Sequence, residues 1–224
     1  MVSRSVIFWD VDTQADFLLP GGKLYVPGAE KLLPNLKLLT DAARRNEVFL
    51  VSDACVHGPD DEEFKRFPPH CLRGTQGAEI VPETVAGRFF VIPNRAQVKI
   101  PADLSKVQQV ILEKQTLDVF DNPNTEKVIE RLQSFTDADA QFFVFGVVTE
   151  YCVRLAAKGL RERGRRVSLV RDAIETLNAA DSQKTLDELT GMGIRLVTTE
   201  EALAELKMSL AEPRASRKGS PTGA

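Results

Sequence analysis

The stretch Gln141-Phe142-Phe143-Val144-Phe145-Gly146-Val147-Val148-Thr149-Glu150-Tyr151-Cys152-Val153 decides how this chain is read. Its first five residues are apolar with almost no alternation, the signature of a strand covered on both faces. Residues 154–163 then follow a helical pattern. Cys152 is therefore expected where a strand ends and a helix begins. Backbone N–H groups are unpaired at such a point, and the helix dipole favours negative charge there. A thiol so placed ionises more readily, and the thiolate is the nucleophile. Taken alone, the stretch also fits a small cysteine buried in a core.

Working outward, the same alternation recurs. Strand-like runs occur at 6–11, 48–52, 89–93, 107–112, 141–147, 167–170 and 194–198. Helical patterns fill 29–46, 124–135, 149–163 and 179–192. Alternating strands and helices of this kind predict an α/β fold, a doubly wound and mostly parallel sheet flanked by helices. Such sheets bind ligands at the carboxyl ends of their strands. Asp12, Asp53, Lys114 and Cys152 all fall at such ends. Residues 58–83 interrupt the pattern with Asp, Glu, Pro and Gly, and a stretch this long without periodicity is functional or disordered. Residues 211–224 are polar, with two Pro and two Gly. The expected organisation is one domain over 1–205 followed by a flexible tail over 206–224.

A chain of 224 residues with a net charge of −3 offers no basic surface for nucleic acid. No apolar stretch approaches the ~18 residues a membrane span needs. The first residues lead straight into a strand that meets Asp10 and Asp12, not into a signal peptide. Three widely spaced cysteines suit a reduced, cytoplasmic protein with free thiols.

Two further segments carry reactive groups. One is Asp12-Thr13-Gln14-Ala15-Asp16-Phe17, and the other is Glu113-Lys114-Gln115-Thr116-Leu117-Asp118-Val119-Phe120. Either could be ordinary, Asp12 as a turn carboxylate and Lys114 as a solvated strand end. The loop adds Pro68-Pro69-His70-Cys71 with Gly74 and Thr75. These phrases, in this order and together with Gly146, Val147, Thr149, Cys152 and Val153, resemble the isochorismatase-like cysteine hydrolases. That superfamily includes nicotinamidases and N-carbamoyl amide hydrolases. The resemblance runs from about residue 6 to about residue 201.

The resemblance implies a six-stranded, Rossmann-type three-layer fold and a catalytic triad of Asp12, Lys114 and Cys152. It favours Asp12 over Asp10, which would share a face with it in a continuing strand. The implied reaction is hydrolysis of a C–N bond in a small carboxamide through a thioester. The alternatives are isochorismatase-type hydrolysis of a vinyl ether, or a scaffold that keeps the fold without catalysis. The oxyanion hole is expected from Thr149 and Cys152, with a cis bond between Val148 and Thr149. Phe17, Phe67, Phe120 and Tyr151 are expected to wall the substrate pocket, with Leu19 nearby. Asp16 is expected to order the Gly21-Gly22 loop, and Cys71 to be structural. The triad requires no cofactor. Related nicotinamidases hold a metal through Asp-x-His, and here the spacing changes to Asp53-Ala54-Cys55-Val56-His57. Either a divalent ion, zinc by its mixed N/O donors, would sit on Asp53, His57 and His70 with Glu63 assisting, or no metal binds and these residues order the long loop, with Phe64 and Phe67 packing it. The expected partners are a small amide substrate and further copies of the chain.

Overall fold

The computed structural model describes residues 4–211. Seven parallel strands form one sheet: β1 (Arg4–Val11), β2 (Phe49–Cys55), β3 (Phe89–Ile92), β4 (Gln109–Lys114), β5 (Thr136–Gly146), β6 (Arg166–Ile174) and β7 (Arg195–Val197). Their spatial order is β3-β4-β2-β1-β5-β6-β7, one strand more than the six the resemblance implies. All seven expected runs form strands, and the two shortest, β3 and β7, are the edges, paired only with β4 and β6. The helices are α1 (Ala15–Leu18), α2 (Leu33–Arg44), α3 (Thr125–Leu132), α4 (Arg154–Glu162), α5 (Ala179–Gly191) and α6 (Thr199–Ala211). Among the described residues no helix is long and apolar enough to cross a membrane.

The unalternating run in β5 has its cause in the two core layers. Phe143 and Phe145 pack with Phe8 on one face at ring distances of 5.9 and 6.0 Å. Phe142 and Val144 join Ile7, Trp9 and Val11 on the other. Successive strand residues point to opposite faces, and both faces are roofed by helices, so every position must be apolar.

The sheet fixes where the site lies. The chain passes from β1 to β2, out to the edge at β3 and back to β4 between them, then crosses to the other side of β1 with β5. This is a topological switch point, where neighbouring strands send their following loops in opposite directions and leave a crevice. Gly146 closes the crevice floor. Its φ is +114°, and a Cβ there would stand 2.1 Å from the Val11 carbonyl oxygen. Only glycine lets the end of β5 press against the end of β1.

Several boundaries differ from expectation: β5 begins at Thr136, β6 runs on to Ile174, and two further shifts bear on the domain and the site. Helix α6 continues to Ala211, so 206–211 belong to the folded domain, held by Ala202 and Leu206, which are buried one helical turn apart. The remainder of the expected tail, 212–224, lies outside the described residues. Strand β2 runs three residues past the predicted end at Ser52, to Cys55.

Candidate active site

The carboxyl ends of β1, β2, β4 and β5 converge on one ammonium. Lys114, the last residue of β4, has no solvent exposure. Its Nζ lies 2.7 Å from Asp12 Oδ2, 3.0 Å from Cys55 Sγ, 3.5 Å from Cys152 Sγ and 3.9 Å from Asp53 Oδ1. The chain leaves β1 at Asp12 with a φ of +50°. Asp12 Oδ1 accepts the Cys55 N–H at 3.2 Å. Cys152 sits in a π-helical turn, Thr149–Val153, that runs directly into α4. Such turns cluster at functional sites. The structure thus brings Asp12, Lys114 and Cys152 together.

Asp10 is not part of this group. Its Oδ2 accepts from Thr13 Oγ1 and Ser52 Oγ. Asp16 holds the Lys23 N–H and the Cys71 N–H, and so orders the two loops around it. Cys71 stands apart, its Sγ 3.9 Å from the Gly77 carbonyl oxygen.

Burial without enough cations governs the charges. Burial raises Asp12 to about 7, and the charge on Cys55 adds to the rise against the pull of Lys114. Burial, then the charge on Asp12, pushes Asp53 well above the carboxylate range. Cys55 and Cys152 titrate as a pair. Interaction with Cys152, together with the Lys114 charge, holds Cys55 well below the usual thiol range, while interaction with Cys55, then burial, holds Cys152 well above it. The easier ionisation expected of Cys152 at a helix start is therefore not found: its neighbour Cys55 is the thiol that loses a proton readily. Burial alone would lower Lys114, but the surrounding Asp12, Cys152, Cys55 and Asp53 charges outweigh it and keep the ammonium charged.

Two expectations about the oxyanion hole change. The cis peptide bond is Val147–Val148, one residue earlier than anticipated. Thr149 cannot serve as an amide donor, because its N–H and its hydroxyl are both spent on the Glu175 carbonyl oxygen, at 2.9 and 2.8 Å. The Val148 N–H has no hydrogen-bond partner among the described residues and belongs to a residue that lines the cleft with Cys152. The shifted cis bond gave the sequence no mark by which Val148 could have been picked out.

The cleft is walled by Phe17, Leu24, Phe67, Leu117, Val147, Val148, Tyr151 and Leu177, with Asp12, Cys55, Glu63, His70 and Cys152 at its reactive end. Phe67 packs edge-on to Tyr151 at 6.1 Å. The space open to the centre of a water-sized sphere is about 40 Å³. Since one water needs roughly 10–15 Å³ by this measure, the cleft admits only a small or flat group. Phe120, expected in this wall, lies elsewhere. It stacks on Trp9 at 6.4 Å and packs beneath Arg163, against a helix surface that only Gly159 leaves open. Leu19 is partly exposed and also outside the wall.

Beside the thiols lies a group of metal-ligand type. Donor atoms of Cys55, His57 and His70 all fall within 4.8 Å of one another, and all three residues are buried. His70 Nδ1 is engaged by the Pro68 carbonyl oxygen at 2.8 Å, and Asp61 Oδ2 stands 3.1 Å from His57 Nδ1 in ion-pair geometry. That leaves Nε2 of each ring available as a ligand atom, and partners of this kind orient ligating histidines. Glu63 Oε2, at the same end of the cleft, is buried without a partner. These donors fit zinc. Asp53, expected as a ligand, does not join them. A strand rises ~3.3 Å per residue, so Asp53 lies deeper in β2 than Cys55. There its Oδ2 accepts from Trp9 Nε1 at 2.9 Å. Cys55, to whose sulfur the sequence assigns no role, takes the place expected for Asp53.

Comparison with known proteins agrees with this architecture. The isochorismatase domain matches residues 87–201, just over half of the chain. The isochorismatase domain-containing protein 2 of Danio rerio is 33% identical over 89 residues, 40% of this chain and 45% of that relative. The match thus spans less than half the length of that curated protein. A pyrazinamidase of Pyrococcus horikoshii, solved in complex with zinc, superposes with a TM-score of 0.68 at 25% identity, covering 87% of this chain and 99% of the other. N-carbamoylsarcosine amidase from Thermoplasma acidophilum shares the fold with a TM-score of 0.66 at 21% identity, over 89% of this chain and 98% of its own. With the domain match reaching from β3 across the lysine and cysteine segments, and the fold shared throughout, the chain belongs to the isochorismatase family of hydrolases.

Proposed function

We propose that this protein is a cysteine-dependent amidohydrolase that cleaves the C–N bond of a small carboxamide, of the nicotinamide or pyrazinamide type. The observation that carries the reading is the single buried ammonium of Lys114, hydrogen-bonded to Asp12 at 2.7 Å and to Cys152 Sγ at 3.5 Å at the foot of an apolar cleft. A flat aromatic amide matches a narrow wall of Phe17, Phe67 and Tyr151.

Cys152 Sγ attacks the amide carbon as Asp12 takes the thiol proton, both groups being held on Lys114 Nζ. A carboxyl near 7 can both accept this proton and return it to the departing amine at neutral pH. Lys114 remains charged and balances the thiolate. The oxyanion faces the backbone N–H groups of Val148 and Cys152. Loss of the amine leaves a thioester, and Asp12 then draws a proton from water as it attacks the same carbon, releasing the acid and restoring the thiol. Cys55, His57, His70 and Glu63 would hold a divalent ion such as zinc, which when bound supplies a Lewis acid for a ring nitrogen or water at the cleft's edge.

An ammonia-release screen over aromatic and aliphatic amides, with and without chelator, tests the reading. Wild type should release ammonia from at least one flat carboxamide, while Cys152→Ala should be inactive and Asp12→Asn should lose most turnover. Full turnover by Cys152→Ala would overturn the mechanism.

A further inference from the structure

The hydrolytic scheme uses one thiol, yet two sulfurs share the ammonium. Cys55 Sγ is 3.0 Å and Cys152 Sγ 3.5 Å from Lys114 Nζ, so one ammonium holds both sulfurs side by side. They come from separate elements, the last residue of β2 and the π-helical turn after β5. Both line the cleft, so a small solute that reaches one reaches the other. The third cysteine, Cys71, faces the Gly77 carbonyl oxygen and is absent from that lining.

We propose that Cys55 and Cys152 are a dithiol oxidised to a disulfide by a hydroperoxide, which makes Cys55 a modification site coupled to the nucleophile. The two sulfurs must close to ~2.05 Å, a shift that side-chain rotation supplies. The apolar walls and narrow opening admit a solute the size of hydrogen peroxide.

The chemistry balances in two steps. Cys152 Sγ, giving its proton to Asp12, attacks one peroxide oxygen, so that an S–O bond forms and the O–O bond breaks. The departing hydroxide takes a proton and leaves as water, and Cys152 is now a sulfenic acid. Cys55 Sγ then attacks the Cys152 sulfur. The S–S bond forms, the S–O bond breaks, and the second hydroxide also leaves as water. Two thiols and one peroxide give one disulfide and two waters, with the two sulfurs supplying both electrons. Lys114 stands beside whichever sulfur carries the negative charge at each step. Without Cys55 the sulfenic acid would meet further peroxide and pass to sulfinic acid, which thiols do not reverse.

That oxidation also silences a hydrolase rests on the function proposed above, but the disulfide does not. The test therefore reads mass, not turnover. The full chain, both as purified and after dialysis against chelator, is treated with hydrogen peroxide, alkylated, and digested without reduction. A peptide linking Cys55 to Cys152 should appear, free thiols should fall from the three of the sequence to one, and dithiothreitol should restore them. In Cys55→Ser the linked peptide should vanish and Cys152 should gain two oxygens that dithiothreitol leaves in place. Absence of the linked peptide from both wild-type samples, with Cys152 reaching sulfinic acid as fast as in Cys55→Ser, would overturn the proposal. A linked peptide in a chain that hydrolyses no amide would uphold the dithiol and refute the hydrolase. Amide turnover without the linked peptide would do the reverse.

Discussion

Replacing Asp10 with asparagine should abolish a pH dependence of stability that the fold imposes. Asp10 has no solvent exposure, and its Oδ1 has no partner among the described residues. Burial raises the carboxyl to about 7, against the lowering effect of bonds from Thr13 and Ser52. In the unfolded chain the group returns to about 3.8. Below 3.8 both states hold the proton and nothing is lost. Between 3.8 and about 7 only the folded state binds it, so stability falls as the pH rises, by ~1.4 kcal/mol per pH unit. Above about 7 the folded carboxylate ionises as well and the loss levels off, at ~4 kcal/mol as an upper figure. The substituted amide cannot titrate. The stability of wild type relative to Asp10→Asn should therefore drop by ~2–3 kcal/mol from pH 5 to pH 7 and change little from pH 7.5 to pH 8.5. Urea unfolding at each pH reads this directly, since a domain of ordinary size has an m-value of ~1–3 kcal/mol/M. Asp12 titrates in both proteins and cancels in the comparison. A difference that stays constant to within ~0.5 kcal/mol across the whole range would refute the buried-acid account.

Lys114→Met should destabilise the fold by ~3–5 kcal/mol at pH 8, because it leaves buried anions unpaired. The loss should shrink below pH 6, as Asp12, raised to about 7, takes up a proton; thermal melts at the two pH values would check both statements, and an equal loss at both would contradict them. Elemental analysis of protein purified without chelator should find about one zinc per chain, lost in His70→Ala and diminished in Cys55→Ser. Unchanged metal in His70→Ala would remove His70 from the proposed ligand set.

The fold was legible because short apolar runs without alternation recur between helical patterns. Val6 to Val11 and Phe142 to Phe145 admit no amphipathic helix, and the turn chemistry around Gly146 marks the strand end. Helix α6 was hidden because its core contact rests on few residues, chiefly Ala202 and Leu206, beside a polar end. The triad was legible through ordered phrases. The fate of the flanking residues was not, since it depends on depth along a strand rather than spacing in sequence. Asp53 and Cys55 are two residues apart on β2 and both approach Lys114, yet only the outer one reaches the histidines. Phe120 follows Lys114 closely, but a 3-10 turn over Val119–Asp121 turns its ring onto Trp9 and away from the cleft.

Cys55 alters the charge balance of the site in a way that one thiol would not. Asp12, Asp53, Cys55 and Cys152 all lie within 4 Å of Lys114 Nζ. Full ionisation would set four negative charges against one ammonium in a nearly dry setting, where uncompensated charge is costly. The site escapes by keeping protons. Both carboxyls are held above their ordinary range, and one of the two thiols keeps its hydrogen. A retained proton beside the nucleophile is what amide cleavage needs at the moment the amine departs. The same crowding that makes Cys152 reluctant to ionise therefore keeps Asp12 able to act as an acid. A serine at position 55 would remove one of the competing anions, so the Cys152 thiol should ionise more readily while Asp12, with less negative charge beside it, should hold its proton less tightly.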